Sequence, residues 1–212
     1  MSFFITGTDT DSGKTYVTCL LLEALMRAGQ VAVGFKPFVC GGRDDVIHLL
    51  NASTSESSLS LDDLNPVWLK VPAAPYASAL MENRHFEIND VIAQYKVLAS
   101  KHKHVLIEGA GGWEVPLNEF ATMADFAQRI GLPVIVVVNN KLGCLNHTLL
   151  TVRNIQARGM TCAGIILNHV QDERDPASIS NGMVLRHFLP DVPVLAEVMH
   201  GETELDWLFD LC

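Results

Sequence analysis

The chain has 212 residues, of which 49% are hydrophobic and 18% are charged, and its formal net charge at pH 7 is −9. This length suits a single α/β domain over residues 1–212, and the hydrophobic content excludes a disordered chain. The acidic balance argues against nucleic acid as a partner, because a phosphate backbone requires a basic protein face.

The first part of the chain has the pattern of a strand, a glycine-bearing loop and a helix. Phe3-Phe4-Ile5 is apolar, the loop from Gly7 to Thr15 reads GTDTDSGKT, and apolar residues then recur at helical spacing from Val17 to Leu25. This order is the context that a phosphate-binding loop requires. Unpaired backbone N–H groups and the helix dipole attract phosphate there. The pattern predicts that Lys14 contacts the outer phosphates and that the Thr15 hydroxyl takes one position on Mg²⁺.

The loop departs from the G-x-x-x-x-G-K-[ST] pattern at one position. Thr8 occupies the place of the first glycine, and Gly7 lies one residue early. Asp9 and Asp11 are unusual beside polyphosphate, since they raise the local negative potential unless they face a cation, an amine or solvent.

Residues 30–35 are predicted to form the second strand, with Gly29 ending the preceding helix. This strand delivers Lys36-Pro37 at its C-terminal end, where open α/β sheets place ligand-binding groups. Asp44 and Asp45 then begin a short helix. Local sequence favours a role for both acids as complements of the helix dipole, with a magnesium ligand among them as the alternative.

The middle of the chain is predicted to contain a polar loop, an extended stretch and a long helix. Residues 51–63 are polar and serine-rich, residues 67–69 are extended, and residues 73–77 either line a cleft or cap the core. Asn89 is predicted to cap the helix that follows. The strand over residues 105–107 then delivers Glu108 into a glycine-rich turn, as expected of an acid that coordinates Mg²⁺ directly or through water.

The second half of the chain alternates predicted helices and strands. Helices are expected over residues 121–130, 148–158, before Pro190 and over 202–208, and strands over 133–138, 163–167 and 192–198. The strand over 133–138 is the most hydrophobic and is expected to be central and parallel. The alternation predicts one doubly wound, mostly parallel sheet flanked by helices, of the P-loop NTPase kind.

The apolar runs and the cysteine spacing of the sequence indicate where the protein is located and whether it has a zinc site or disulfide bonds. The N-terminal stretch has no positive region followed by a long apolar run, and no stretch of eighteen apolar residues occurs. We therefore expect no membrane partner. The five cysteines are scattered and form no C-x-x-C pair, which indicates neither a zinc site nor a disulfide framework and favours a cytoplasmic location.

Four motifs together resemble the ATP-dependent dethiobiotin synthase family. They are the loop from Gly7 to Thr15, Lys36-Pro37, the segment from Glu108 to Trp113 with Pro116-Leu117, and the segment from Lys141 to His147. The resemblance covers nearly the whole chain. It implies an enzyme that uses ATP with Mg²⁺ to convert 7,8-diaminononanoate and CO₂ or bicarbonate into a cyclic urea. The implied intermediates are a carbamate and its mixed anhydride with phosphate.

The resemblance also implies roles for individual residues. Lys14 and Lys36 would be catalytic cations, and Thr15, Glu108 and one of Asp44 and Asp45 would hold Mg²⁺, with Asp45 the better match. The nucleotide would be bound by Asp11, Ser12, Gly13, Lys14, Thr15, Tyr16, Asp45, Glu108, Gly109, Ala110, Gly111, Asn168, His169, Val198, Met199 and His200. The substrate would be bound by Thr10, Cys40, Gly111, Leu142, Gly143, Cys144 and Asn146, the last four from across a homodimer interface.

Two residues depart from the family pattern. Cys40 stands where the family usually has a small hydroxyl residue, which puts its contact with the carbamate side of the substrate in doubt, because a thiol is a weak donor. Ser12 replaces the usual valine of the loop, at a position that backbone N–H groups define.

The sequence leaves three alternative functions to consider. An amide-forming ligase of the cobyrinate kind usually needs a glutamine-hydrolysing domain, for which this chain has no room. A switch ATPase of the partitioning kind carries an additional lysine where this chain has Asp9. The third alternative is a nucleotide-binding module without catalysis, which only an assay can distinguish.

Overall fold

The computed structural model describes residues 2–55, 58–173 and 175–205. Its strands are β1 (Phe3–Gly7), β2 (Ala32–Phe35), β3 (Phe38–Cys40), β4 (Val67–Leu69), β5 (His104–Gly112), β6 (Val134–Asn139), β7 (Cys162–Asn168) and β8 (Val194–Val198). Its helices are α1 (Lys14–Arg27), α2 (Asp44–Ala52), α3 (Leu61–Leu64), α4 (Pro75–Met81), α5 (Ile88–Lys101), α6 (Met123–Ile130), α7 (Cys144–Ala157) and α8 (Pro176–Phe188).

Six strands form one parallel sheet in the order β2-β5-β1-β6-β7-β8. The predicted central strand β6 lies between β1 and β7, and its residues 134–138 are completely buried. A strand covered on both faces is expected to be continuously apolar, which explains this run of valine and isoleucine.

Alternate residues of β1 belong to two different cores, which shows that the sheet is covered on both faces. Phe4 packs in one core against Trp113 and Phe126, whereas Phe3 and Ile5 pack in the other with the buried face of α1. Successive side chains of a strand point to opposite faces. The doubly wound architecture predicted from the sequence is therefore confirmed.

A second sheet of two strands, β3 and β4, lies beside the cavity described below. β3 pairs with β4 in parallel, with Phe38 opposite Val67 and Cys40 opposite Leu69. The sequence did not predict β3, because Pro37 ends β2 and the three residues that follow gain strand pairing only from a segment about thirty residues later. The extended stretch at 67–69 was predicted.

Several helix boundaries differ from the prediction. Helix α5 begins at Ile88 with Glu87 in the capping position, so the prediction that Asn89 caps this helix is wrong. Asn89 instead accepts a hydrogen bond from Arg129 on α6. Helix α7 begins at Cys144, four residues before the predicted start. Of the predicted helix over 202–208, residues 202–205 are not helical and the rest lie outside the described residues.

Candidate active site

The loop between β1 and α1 closes over the C-terminal edge of the sheet. Gly13 precedes α1 with a φ of +81°, a left-handed conformation that favours glycine. A Cβ added to Gly13 would lie 2.0 Å from Asn168 Nδ2, and that amide donates a hydrogen bond of 3.0 Å to the Ser12 carbonyl. The loop is therefore held against the end of β7, and Gly13 is required both by the turn and by the close approach.

A cavity of about 720 Å³ opens beside this loop. Its lining includes twelve of the residues predicted for the site, namely Thr10, Asp11, Gly13, Lys14, Thr15, Tyr16, Lys36, Cys40, Asp45, Glu108, Ala110 and Gly111. These residues come from the loop after β1, the first turn of α1, the position after β2, the end of β3, the second half of β5 and the start of α2. Parallel strands bring their carboxyl ends to one edge, so residues distant in sequence meet there.

Three oxygen-bearing side chains surround the ammonium group of Lys36. Its Nζ donates to Glu108 Oε1 at 2.6 Å, to Thr15 Oγ1 at 3.3 Å, and to Asp45 in a close ion pair. Burial lowers the pKa of Lys36, but the carboxylates of Glu108 and Asp45 outweigh it and raise that pKa above its ordinary value. Burial likewise raises the pKa of Asp45, and the Lys36 ammonium outweighs it and holds that pKa below its ordinary value.

The same oxygens fit a magnesium ion. Glu108 is completely buried, and its Oε2 has no hydrogen-bond partner in the described part of the chain. Its other oxygen accepts a hydrogen bond of 2.6 Å from the Thr15 hydroxyl. Among residues 2–55, 58–173 and 175–205, no group of three or more His, Cys, Asp or Glu side chains is placed to hold a metal. An all-oxygen set of two carboxylates and one hydroxyl, completed by phosphate oxygens, is the type that Mg²⁺ prefers.

Lys14 is the second buried cation of the cavity. Its Nζ donates to the carbonyl oxygens of Asp9 at 2.9 Å and Thr10 at 3.0 Å. Burial, reinforced by the nearby charge of Lys36 and opposed by Glu108, lowers the pKa of Lys14 to about 8. In the absence of a bound anion, the loop therefore stabilises the ammonium form of Lys14 only weakly.

This pKa predicts that nucleotide binding takes up a proton. A bound polyphosphate stabilises the ammonium form, so MgATP affinity should fall as the pH rises through 8, and the complex should take up close to one proton at about pH 9. Calorimetry in buffers of different ionisation enthalpy measures this uptake. Lys14→Arg is the control, because arginine is already charged and should give almost no uptake. Equal and negligible uptake by both proteins would contradict the predicted role of Lys14.

Asn168, His169 and the segment Val198 to His200 lie at the ends of β7 and β8, beside the loop. His169 N donates to the Val198 carbonyl at 2.8 Å, and His200 Nδ1 donates to the carbonyl of the cavity-lining residue Val170 at 2.8 Å. Asn168 is buried with its amide on the loop. The structure thus brings these predicted nucleotide-binding residues next to the phosphate loop.

The predicted carboxylate-binding residues Leu142, Gly143, Cys144 and Asn146 lie elsewhere. They form the start of α7, and none of them lines the 720 Å³ cavity. Leu142 is 79% exposed, while Cys144 is buried. Within one chain, the structure does not bring this group together with the two lysines.

The sequence did not identify several apolar wall residues of the cavity. They are Phe38, Val39, Pro72, Val115 and Val170. Of the predicted segment 73–77, which was expected either to line a cleft or to cap the core, residues 73–75 line the cavity. No local pattern distinguishes such residues from the core. Trp113 is a buried core residue whose Nε1 donates to Asn154 at 2.8 Å.

The fold and the loop together define a P-loop nucleotide-binding α/β protein. A family model described as an AAA domain matches residues 1–202. The ATP-dependent dethiobiotin synthetase BioD of Akkermansia muciniphila is 43% identical over 205 residues, covering 97% of this chain and 95% of the relative. The protein of the same name from Aromatoleum aromaticum is 40% identical over 210 residues, covering 94% and 90%. The chain belongs to the ATP-dependent dethiobiotin synthetase family.

Two solved structures that share this fold are more distantly related to the chain. The septum site-determining protein MinD of Pyrococcus horikoshii, complexed with Mg-ADP, has a TM-score of 0.57 and 19% identity, covering 94% of this chain and 82% of that one. The MinC:MinD cell division protein complex of Aquifex aeolicus has a TM-score of 0.59 and 13% identity, covering 99% and 84%. At these identities the similarity concerns the fold alone.

Proposed function

We propose that this protein is an ATP-dependent ligase that closes the ureido ring of dethiobiotin from 7,8-diaminononanoate, CO₂ and MgATP. Family membership supports the reaction. The observation that carries the proposal is the convergence of two buried lysines from separate elements, Lys14 and Lys36, on one cavity beside Glu108 and Thr15. An assembly of cations around a phosphate site suits phosphoryl transfer, which depends on positioning and charge neutralisation.

The reaction has three balanced steps. One amine of the substrate attacks CO₂, forms an N–C bond and releases a proton, which gives a carbamate. A carbamate oxygen then attacks the γ-phosphorus, and the bond from that phosphorus to ADP breaks. The second amine finally attacks the carbamoyl carbon, so that the C–O bond to phosphate breaks and a proton leaves with formation of the cyclic urea.

The residues of the cavity have separate tasks in these steps. Lys14 holds the outer phosphates, and Lys36, at the end of β2, neutralises charge on the carbamate and on the transferring group. Thr15, Asp45 and Glu108 would hold Mg²⁺, which supplies additional neutralisation of the phosphates when bound. Ala110 and Gly111 line the same cavity, and Gly109, which lies between Glu108 and Ala110, would belong to the same nucleotide-binding turn. Thr10 and Cys40 would contact the carbamate side of the substrate. Holding the reactants together contributes up to about 7–11 kcal/mol for ideal geometry.

Asn168, His169, Val198, Met199 and His200 would border the nucleotide base. Their position beside the phosphate loop supports this role. The Asn168 side chain has one amide group that can donate and one oxygen that can accept, as a base edge requires. In the described structure Nδ2 donates to Ser12, so the side-chain oxygen and the second N–H would remain for the base.

We further propose a homodimer in which Leu142, Gly143, Cys144 and Asn146 bind the substrate carboxylate from the partner subunit. Their absence from the lining of the lysine cavity of the same chain and the exposure of Leu142 support this arrangement. Light scattering at assay concentration is expected to give twice the monomer mass. A fully active monomer would contradict the cross-subunit site.

We also propose a cytoplasmic location, which agrees with substrates of this kind. No helix in the described part of the chain is long and apolar enough to cross a membrane.

Phosphate release from MgATP tests the proposed function. Release should require both 7,8-diaminononanoate and bicarbonate, with one phosphate formed per molecule of cyclic urea detected by mass spectrometry. Release that is indifferent to the diamine would instead favour a switch ATPase or another ligase.

A further inference from the structure

Ser12 has one polar group without a partner. Its backbone N–H donates to the Thr10 carbonyl at 2.6 Å, and its carbonyl accepts from Asn168 Nδ2 at 3.0 Å. The side chain is completely buried, and its Oγ has no hydrogen-bond partner among the residues that the structure describes. Both backbone polar groups of Ser12 are therefore engaged.

The hydroxyl points into the interior of the phosphate loop. A Cβ added to Gly7 would lie 2.3 Å from Ser12 Oγ, 2.8 Å from the Asp9 carbonyl oxygen and 2.9 Å from Lys14 Nζ. The hydroxyl therefore shares one small space with the ammonium group that contacts phosphate. This space is open only because residue 7 has no side chain.

We propose that the Ser12 hydroxyl donates a hydrogen bond to a phosphate oxygen of the bound nucleotide. This inference rests on the proposed function to the extent that a nucleotide occupies the loop. A buried hydroxyl without a partner destabilises the folded chain, whereas a phosphate oxygen next to Lys14 supplies a charged acceptor. The valine usual at this position in the family cannot donate, so the contact is a property of this chain.

Ser12→Ala tests the effect of the hydroxyl both without nucleotide, where it has no partner, and with bound MgADP, where it would donate to phosphate. In the absence of nucleotide, the variant loses an unpaired buried polar group, and the midpoint of thermal unfolding should rise by about 2–4 °C. MgADP affinity, measured by calorimetry, should fall about tenfold, because one charge-assisted hydrogen bond is lost. A substitution that acted only through the packing of the loop would not combine greater stability with weaker binding.

Two further variants make the experiment specific. Ser12→Val should weaken MgADP binding to a similar extent. Thr6→Val is the matched control, because Thr6 Oγ1 is another buried hydroxyl without a partner in the described chain, but Thr6 belongs to strand β1 and not to the turn before Lys14. It should raise the unfolding midpoint and leave MgADP affinity unchanged.

Unchanged MgADP affinity in Ser12→Ala would contradict the proposed role of Ser12. If that variant still formed the cyclic urea, the proposed ligase function would be unaffected. An equal loss of affinity in Thr6→Val would also contradict the role of Ser12. Failure of the unmodified chain to bind MgADP would overturn both proposals.

Discussion

Lys36→Ala is expected to lower the rate of dethiobiotin formation by at least about 10³-fold while MgATP affinity changes only a few-fold. Lys36 is 6% exposed and lies at the end of β2, outside the phosphate loop, so the loop contacts to the nucleotide remain. The lost ammonium acts where charge develops during phosphoryl transfer, and removal of one such donor typically costs two to three orders of magnitude. Loss of its carbamate contact adds to this effect.

Steady-state assays of phosphate release, combined with calorimetric titration of MgATP, measure the two quantities separately. Lys103→Ala, at an exposed position before β5, is the control and should match the unmodified chain. Normal MgATP binding by Lys36→Ala would show that the variant is folded. Turnover within a few-fold of the unmodified chain would remove Lys36 from the mechanism.

The same variant should be less stable without Mg²⁺. Its substitution removes the cation that contacts the completely buried Glu108, and leaving a buried charge without its partner costs about 3–5 kcal/mol of unfolding free energy. Mg²⁺ should recover part of this loss by binding the same carboxylate. Urea unfolding in EDTA and in Mg²⁺ compares the two conditions.

Glu108→Gln is expected to produce the second large effect. Glutamine has the shape of glutamate but lacks its charge, so the proposed magnesium set loses a carboxylate while β5 keeps its backbone. Turnover should fall by about 10²–10³-fold, and the Mg²⁺ concentration that gives half-maximal rate should rise about tenfold or more. Rates measured over a range of Mg²⁺ at saturating ATP provide both values.

Glu119→Gln is the matched control, because Glu119 is an exposed carboxylate on the turn after β5. It should change neither the rate nor the Mg²⁺ requirement. If Glu108→Gln kept the Mg²⁺ requirement of the unmodified chain, Glu108 would be excluded as a ligand and would serve only as the counter-ion of Lys36.

The parts of the fold that follow from local pattern were predictable. An apolar strand, a glycine-bearing loop and an amphipathic helix identified the phosphate loop, and the run of valines over 134–138 identified the central strand. Glu108 stood out because three apolar residues lead directly to a carboxylate. Each of these signals lies within about fifteen residues, where spacing determines which face or end a side chain occupies.

The parts that depend on distant contacts were not predictable in the same way. Strand β3 exists because Phe38 to Cys40 pairs with Val67 to Leu69. Local pattern also does not distinguish Asp44 from Asp45 at the helix start; the family resemblance favoured Asp45, and the contact with Lys36 supports that choice. Local sequence favoured helix capping for both, and the position of Asp45 in the cavity now supports its proposed role at the metal.

The Ser12 hydroxyl shows a further limit of sequence analysis. From the sequence it is a tolerated replacement for valine, since backbone N–H groups define the loop. Its unpaired state became visible only when the contacts of Thr10, Asn168 and Gly7 were known.

Oxygen transfer from bicarbonate to phosphate tests the central claim that the cavity phosphorylates a carbamate. With ¹⁸O-labelled bicarbonate, 7,8-diaminononanoate and MgATP, each phosphate released should carry one oxygen atom from the carbamate, because the final step breaks the C–O bond. Mass spectrometry of phosphate from brief incubations measures the label before it exchanges with water. Labelled phosphate at the isotopic fraction of the bicarbonate is the predicted result, and unlabelled phosphate formed together with cyclic urea would contradict the mechanism.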